Sequence, residues 1–226
     1  MSIFLLIANT LLIGKPKNLI ENQQHLIMND DDIKDKDLLS IDENWLEPQK
    51  GRILISEPFS GAEIFEKSVV LIVEHNIKGT VGFILNKPLL STRISILGLL
   101  GQYPWSLNLG GPVETDKIFF IHSAPETISG SLEIAKGIYW GGNFNTAMKL
   151  IEDGKLSQRQ IRFFAGYSGW NAGQLDSEIS KKFWMVGKLS GQIIMDTQKD
   201  IWSEAIATMG DRYKIWQNLP ADPRLN

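Results

Sequence analysis

The spacing of apolar residues along this 226-residue chain changes at Arg52. From there on, short β-branched and aromatic runs are broken by glycine and proline, the pattern of strands joined by tight turns. RILIS (52–56) reads as a short strand stopped by Pro58. SVVLIVE (68–74) and TVGFILN (80–86) flank a short loop holding Gly79, which predicts a hairpin. Both runs are apolar on both faces, so the hairpin is expected at the centre of a sheet covered on each side. KIFFIH (117–122), GIYWGG (137–142), IRFFAGY (161–167) and FWMVG (183–187) supply further strands.

Three helices are expected between and after these strands. Asn143 is a good N-cap for FNTAMKLIEDG, which sets Phe144, Ala147, Leu150 and Ile151 on one stripe and closes at Gly154. A second helix over 173–182 places Leu175 and Ile179 on one face, and a third over 199–209 buries Ile201, Trp202, Ala205, Ile206 and Met209 ahead of Gly210. Strands and helices mix without strict alternation, which indicates the α+β class and a single domain over 51–216. No internal repeat is visible.

The ends read differently. Residues 1–50 are expected to be an N-terminal extension, acidic and flexible after Met28, where MNDDDIKDKDLLSIDENWLEPQKG begins. The apolar run at 3–13 is about a dozen residues, short of the about 20 needed to cross a bilayer, and it lacks a basic leader. Residues 1–27 are therefore expected to be a start-site extension. The Pro-containing stretch 217–226 reads as a loose tail.

A net charge of −3 provides no general positive field for a polyanion, and the densest basic group is only Lys181, Lys182 and Lys188. Direct nucleic-acid binding is disfavoured. The absence of cysteine removes disulfides, thiolate catalysis and Cys-ligated metals, and it fits a reducing cytoplasm.

LISEPF, then FEKSVVLIVEHNIKGTVGFILNKP, LGGPVETDKIFFIHS and GYSGWNAGQLDSEISKKFWM resemble the AlgH/YqgE family of bacterial proteins, in order from about Arg52 to Met209. The resemblance implies an α+β fold with a bifurcated mixed sheet that includes a small β-barrel, surrounded by helices. It also implies a link to regulation, but specifies no reaction. Some members carry a cysteine shortly after the tryptophan matching Trp184; here that stretch is MVGKLSG, so no thiol mechanism carries over.

Chemistry-bearing motifs are sparse. GYSGWNAGQL (166–175) matches no phosphate loop, dinucleotide fingerprint or nucleophile elbow. A glycine-rich turn ahead of a helix still leaves main-chain N–H groups unbonded, and an anion is favoured there. On that ground Gly166, Tyr167, Gly169, Trp170, Gly173 and Gln174 are candidate ligand-binding residues, joined by Gly110 and Gly111 of the second glycine turn, GGPVETD. The plain alternative gives these glycines a packing role and makes Trp170 a core residue. Asp176, in the first helical turn, would compete with an anion for the same place.

Glu74, His75 and His122 are the candidates for acid–base chemistry, but neighbours on a strand, such as Glu74 and His75, point to opposite faces. A zinc site built from His75, His122 and Glu74 lacks any HExxH-like spacing, so no metal and no cofactor is expected. Ser56, Ser68, Ser123 and Ser168 offer hydroxyls without a visible base and orienter. The expectation is a cytoplasmic, non-catalytic, regulatory binding protein whose partner is a small anionic ligand or another protein. The alternatives are a hydrolase using His75 or His122 with a carboxylate, and a transcriptional regulator acting directly or through a partner. Oligomeric state stays open: Trp45, Trp105 and Trp216 serve equally as interface anchors or as core.

Overall fold

The hairpin expected from the two apolar runs lies in the interior of the sheet. The computed structural model describes residues 41, 46–58, 64–89, 107–124 and 128–218. The strands are β1 (Ile53–Ser56), β2 (Val69–Asn76), β3 (Gly79–Ile84), β4 (Leu107–Leu109), β5 (Val113–His122), β6 (Leu132–Ala135), β7 (Ile138–Trp140), β8 (Ile161–Asn171) and β9 (Trp184–Gly187). The helices are α1 (Phe144–Glu152), α2 (Gln174–Ser180), α3 (Gly191–Met195), α4 (Ile201–Ala207) and α5 (Lys214–Gln217), with a 3₁₀ turn at Asp211–Tyr213.

The strands form one sheet in the order β6, β7, β5, β8, β3, β2, β1, β9, with β4 branching off beside β8 and bridged on its other side by Pro88. Pairing is antiparallel except between β4 and β8, so the sheet is mixed and the α+β class holds. The sheet forks along β8: its first half takes β4 as neighbour through Phe163–Ala165, and its last residues take β3 through Ser168–Asn171. Gly110 occupies the fork, its N–H donating to Ala165 O while its carbonyl accepts from Ile84 N–H. The implied closed barrel is corrected. β6 and β9 end the strand order without pairing to each other among the described residues. β6 does curl back: a side chain on Gly51, just before β1, would meet the Ile134 carbonyl at 2.2 Å. That approach stacks backbone on backbone and adds no ladder.

Both faces of the central strands are buried, as their unbroken apolar runs require. Ile53, Ile55, Leu71, Phe83 and Phe164 face a core closed by Ile201, Trp202, Ile206 and Trp216. Leu54, Val70, Ile72 and Ile84 face the opposite way, against Trp170, Trp184 and Leu175 of α2. A third cluster packs Phe120, Ile161 and Phe163 on Ala147 and Ile151 of α1. The Asn143 cap forms as expected, its Oδ1 accepting from Thr146 N–H at 2.9 Å, and α4 is capped by Asp200, whose Oδ1 accepts from Ser203 N–H at 3.1 Å. Most of the N-terminal extension lies outside the described residues. Ile41 is described and is buried in the main core. Trp216 is core as well, while Trp45 and Trp105 lie outside the described residues.

Candidate functional site

The tip of the β2–β3 hairpin is a two-residue turn, Ile77 and Lys78, between paired Asn76 and Gly79. Asn76 locks it, accepting from Lys78 N–H at 2.8 Å and donating to Glu74 Oε1 at 2.7 Å. Gly79 backs so closely onto β8 that an added Cβ would meet Trp170 O at 2.3 Å. Close backbone approach thus fixes the hairpin end against the glycine-rich end of β8.

Two shallow clefts flank this junction. One, of about 200 Å³, is lined by His75, Ile77, Thr80, Gly173, Leu175 and Asp176. The other, of about 330 Å³, is lined by Glu74, Val81, Val113, Tyr167, Gly169 and Trp170. Glu74 and His75 open into different clefts, in keeping with their alternation along β2. The hairpin end, the β8 glycines and the start of β5 converge here, although a register shift between Ile72 and Glu74 interrupts the ladder.

GYSGWNAGQL is not a turn over most of its length: β8 runs through Asn171, and only Ala172 and Gly173 separate it from α2. Pairing of β8 with β3 and with Val113 takes up the backbone that the sequence pattern left free. Gly110, Gly111 and Gly166 serve close packing. Added side chains would meet Gly166 O at 2.2 Å, Tyr167 C at 2.2 Å and Val113 O at 2.6 Å respectively, and Gly166 also has φ +67°. At the start of α2, Gln174 Oε1 accepts from Asn171 N–H at 3.0 Å, and Asp176 sits in the first turn. An amide is taken and a negative charge is added where an anion was expected. Tyr167, Gly169, Trp170 and Gly173 remain as cleft-lining residues.

Sequence reasoning missed Glu178, which is 3% exposed. Its Oε2 accepts from the indole N–H groups of Trp170 at 2.8 Å and Trp184 at 3.0 Å, and its Oε1 accepts from Gln174 Nε2 at 2.9 Å. The two indoles meet edge to face, ring centroids 5.9 Å apart, so Trp170 is anchored as core with only its margin at the cleft. A signal for this carboxylate existed: two buried tryptophans need acceptors, and α2, between them in sequence, carries two carboxylates, Asp176 and Glu178.

The histidines lie apart. His75 neighbours Thr80, its Nδ1 2.7 Å from Thr80 Oγ1, and Thr80 pairs with Trp170. His122 pairs with Ile161 at the opposite end of β8, about 30 Å away at about 3.3 Å per residue. The structure does not bring His75, His122 and Glu74 together, and no cluster of three metal-ligating side chains occurs among the described residues. His122 is fully buried, and its Nδ1 accepts from Ala124 N–H at 3.2 Å. Its proton therefore sits on Nε2, 2.8 Å from Ser131 Oγ and 3.1 Å from Gly141 O. Ser131 Oγ donates onward to Ile128 O at 2.7 Å. The imidazole is a donor to that hydroxyl and cannot take its proton, so the pair braces the β5 end and does not form a nucleophile with its base. Burial pushes the His122 pKa below its ordinary value, against a smaller opposing effect of the Gly141 carbonyl.

Comparison with known proteins places this geometry in context. Residues 53–214 match the family model described as AlgH-like (DUF179). A UPF0301 protein of Cytophaga hutchinsonii is 41% identical over 179 residues, covering 78% of this chain and 98% of the relative. Another, from Bacteroides thetaiotaomicron, is 36% identical over 197 residues, covering 85% and 98%. The solution structure of the AlgH protein from Pseudomonas aeruginosa superposes with a TM-score of 0.61 at 24% identity, covering 79% of this chain and 98% of that one. A crystal structure of a Corynebacterium diphtheriae protein gives 0.64 at 22% identity, covering 77% and 94%. These structures share the fold, and the chain belongs to the AlgH-like family.

Proposed function

We propose that this protein works by binding, without covalent chemistry, and that the hairpin end with the adjoining end of β8 docks a protein partner. The observation that carries the proposal is Ile77, 93% exposed at the tip of a hairpin held rigid by Asn76 and by the backing of Gly79 on Trp170. Exposing an isoleucine where turns favour glycine or asparagine is not required by the fold. Tyr167, Val81 and Val113 add apolar and aromatic surface in the neighbouring cleft, and Glu74, Asn76, Lys78 and Asn171 rim it. An apolar, aromatic centre with a polar rim is the anatomy of a protein interface.

Of the two expected partners, charge favours the protein over the small anion. Glu74 and Asp176 border the clefts, with Lys78 the one lysine or arginine among their described lining residues. Both clefts also lie at or below the low end of the roughly 300–1,000 Å³ typical of small-molecule pockets. A regulatory role in the cytoplasm completes the proposal. It leans on the resemblance and on a cysteine-free chain that suits a reducing compartment. No helix among the described residues is long and apolar enough to cross a membrane.

In-cell photo-crosslinking tests the proposal, with benzoylphenylalanine placed at Ile77 and, as controls, at the other exposed apolar positions, Leu132 and Ile215. A discrete protein adduct from position 77 alone is expected. Equal labelling from all three positions, or none from 77, would sink it.

A further inference from the structure

A larger cleft lies at the other end of β8, away from the hairpin. It is about 1120 Å³ in volume, and its walls come from the β6–β7 turn, the segment before β8 and the residues of α3 and its C-terminal continuation. Among the described residues, Lys136, Arg159 and Asp196 are the charged members of its lining. Neither Lys136 nor Arg159 makes an ion pair or side-chain hydrogen bond among the described residues. Arg162 lies behind the wall formed by Met195 and Asp196. It is 2% exposed and donates to the carbonyls of Ile194 and Leu85, and its Nε has no partner among the described residues.

The buried guanidinium is bonded to neutral carbonyls, so solvent screens its charge little in the low-dielectric wall. Asp196 is the nearby carboxylate that acts on it. Among the described lining residues, Lys136 and Arg159 against Asp196 leave one positive charge, with Arg162 behind the wall. Glu133 is turned onto Gly137 N–H and the Tyr139 hydroxyl and is not among the lining residues. The rest of the lining suits a polar aliphatic body. Gln192 and Gln198 offer amide donors and acceptors, Ile138 and Met195 give an apolar floor, and among the described lining residues no aromatic ring stands to stack on a base.

We infer that this cleft binds a small aliphatic compound bearing a phosphate group, the phosphate held between Lys136 and Arg159 and the body laid along Gln192 and Gln198. A phosphate monoester carries close to two negative charges at pH 7, which the two unpaired cations Lys136 and Arg159 can meet. Arg159 supplies the planar fork suited to its oxygens. This site is distinct from the hairpin-end surface and stands or falls without it.

The test is an NMR titration of the ¹⁵N-labelled full chain with inorganic phosphate, glycerol 3-phosphate and citrate. Saturable shifts confined to 136–138, 158–162 and 191–198 are expected, with glycerol 3-phosphate binding tightest. The exposed double variant Lys136→Ala/Arg159→Ala should weaken that binding at least tenfold. A control, Lys117→Ala/Lys214→Ala, removes lysines that pair with Glu114 and Asp211 outside the cleft and should leave binding unchanged. Shifts scattered over surface lysines, or affinity untouched by the first double variant, would overturn the site. Tighter binding of citrate than of both phosphates would overturn its ligand class.

Discussion

Glu178 decides the packing between the sheet and α2, because a single carboxylate oxygen accepts from two buried indoles. Replacing it with leucine strands both N–H groups, at about 1–3 kcal/mol for each unsatisfied donor. Glu178→Leu should therefore lose about 3 kcal/mol or more in urea unfolding followed by tryptophan fluorescence, and Glu178→Gln, which keeps an acceptor, distinctly less. His122 gives the residue-scale prediction for pH. Its folded pKa lies below the ordinary 6.5, so between the two values the unfolded chain binds more protons. The stability it contributes is complete above about pH 6.5 and is lost as pH falls through the lowered folded value. Melting temperatures from pH 7.5 to 5 should fall more steeply for the wild type than for His122→Gln. Burial raises the Glu57 carboxyl instead, so its contribution has the opposite sign and cancels in that comparison. Parallel curves for the two proteins would contradict the bracing role of His122.

At the scale of elements, the glycines are where the sheet changes partners. Gly110 bonds to both β8 and the end of β3, and a methyl group there would sit 2.2 Å from Gly166 O. Gly110→Ala should cost about 1–3 kcal/mol or more through overpacking and should lower the hydrogen-exchange protection of β4 and the middle of β8 before that of β1 and β2. Uniform loss of protection would mean the fork does not depend on this glycine. Asn86 also holds backbone in place. Its side chain accepts from Val69 N–H at 2.9 Å and donates to Lys67 O at 2.7 Å, fixing Lys67 at φ +47°. The hairpin and the three main helices were legible because long apolar runs and caps are local signals. β4, β6 and α3 are three to five residues long and exist through their tertiary neighbours, so no local pattern announces them. The GYSGWN stretch misleads for the same reason. Its glycines read as a turn, whereas strand partners on both sides draw the stretch into β8, with Gly166 at φ +67° as a kink within it.

On the scale of the whole molecule, β8 connects two unlike ends. One carries a rigid hairpin tip with an exposed isoleucine, and the other a polar cleft beside a buried arginine. Of the residues proposed from sequence, the structure gathers Glu74, His75, Tyr167, Gly169, Trp170 and Gly173 around the hairpin junction and leaves His122 at the far end. Convergence of that kind depends on strand register, which a single sequence does not encode locally. The cleft at the far end escaped notice because its cations are scattered over 136–162 and look like ordinary surface charge. The central claim is that Ile77 anchors a protein partner. Its most direct test is competition for the adduct formed from position 77, with unlabelled chain co-expressed in excess. Wild-type competitor should suppress the adduct several-fold, while Ile77→Asp, folded to the same melting temperature, should leave it intact. Equal suppression by both competitors would contradict the claim.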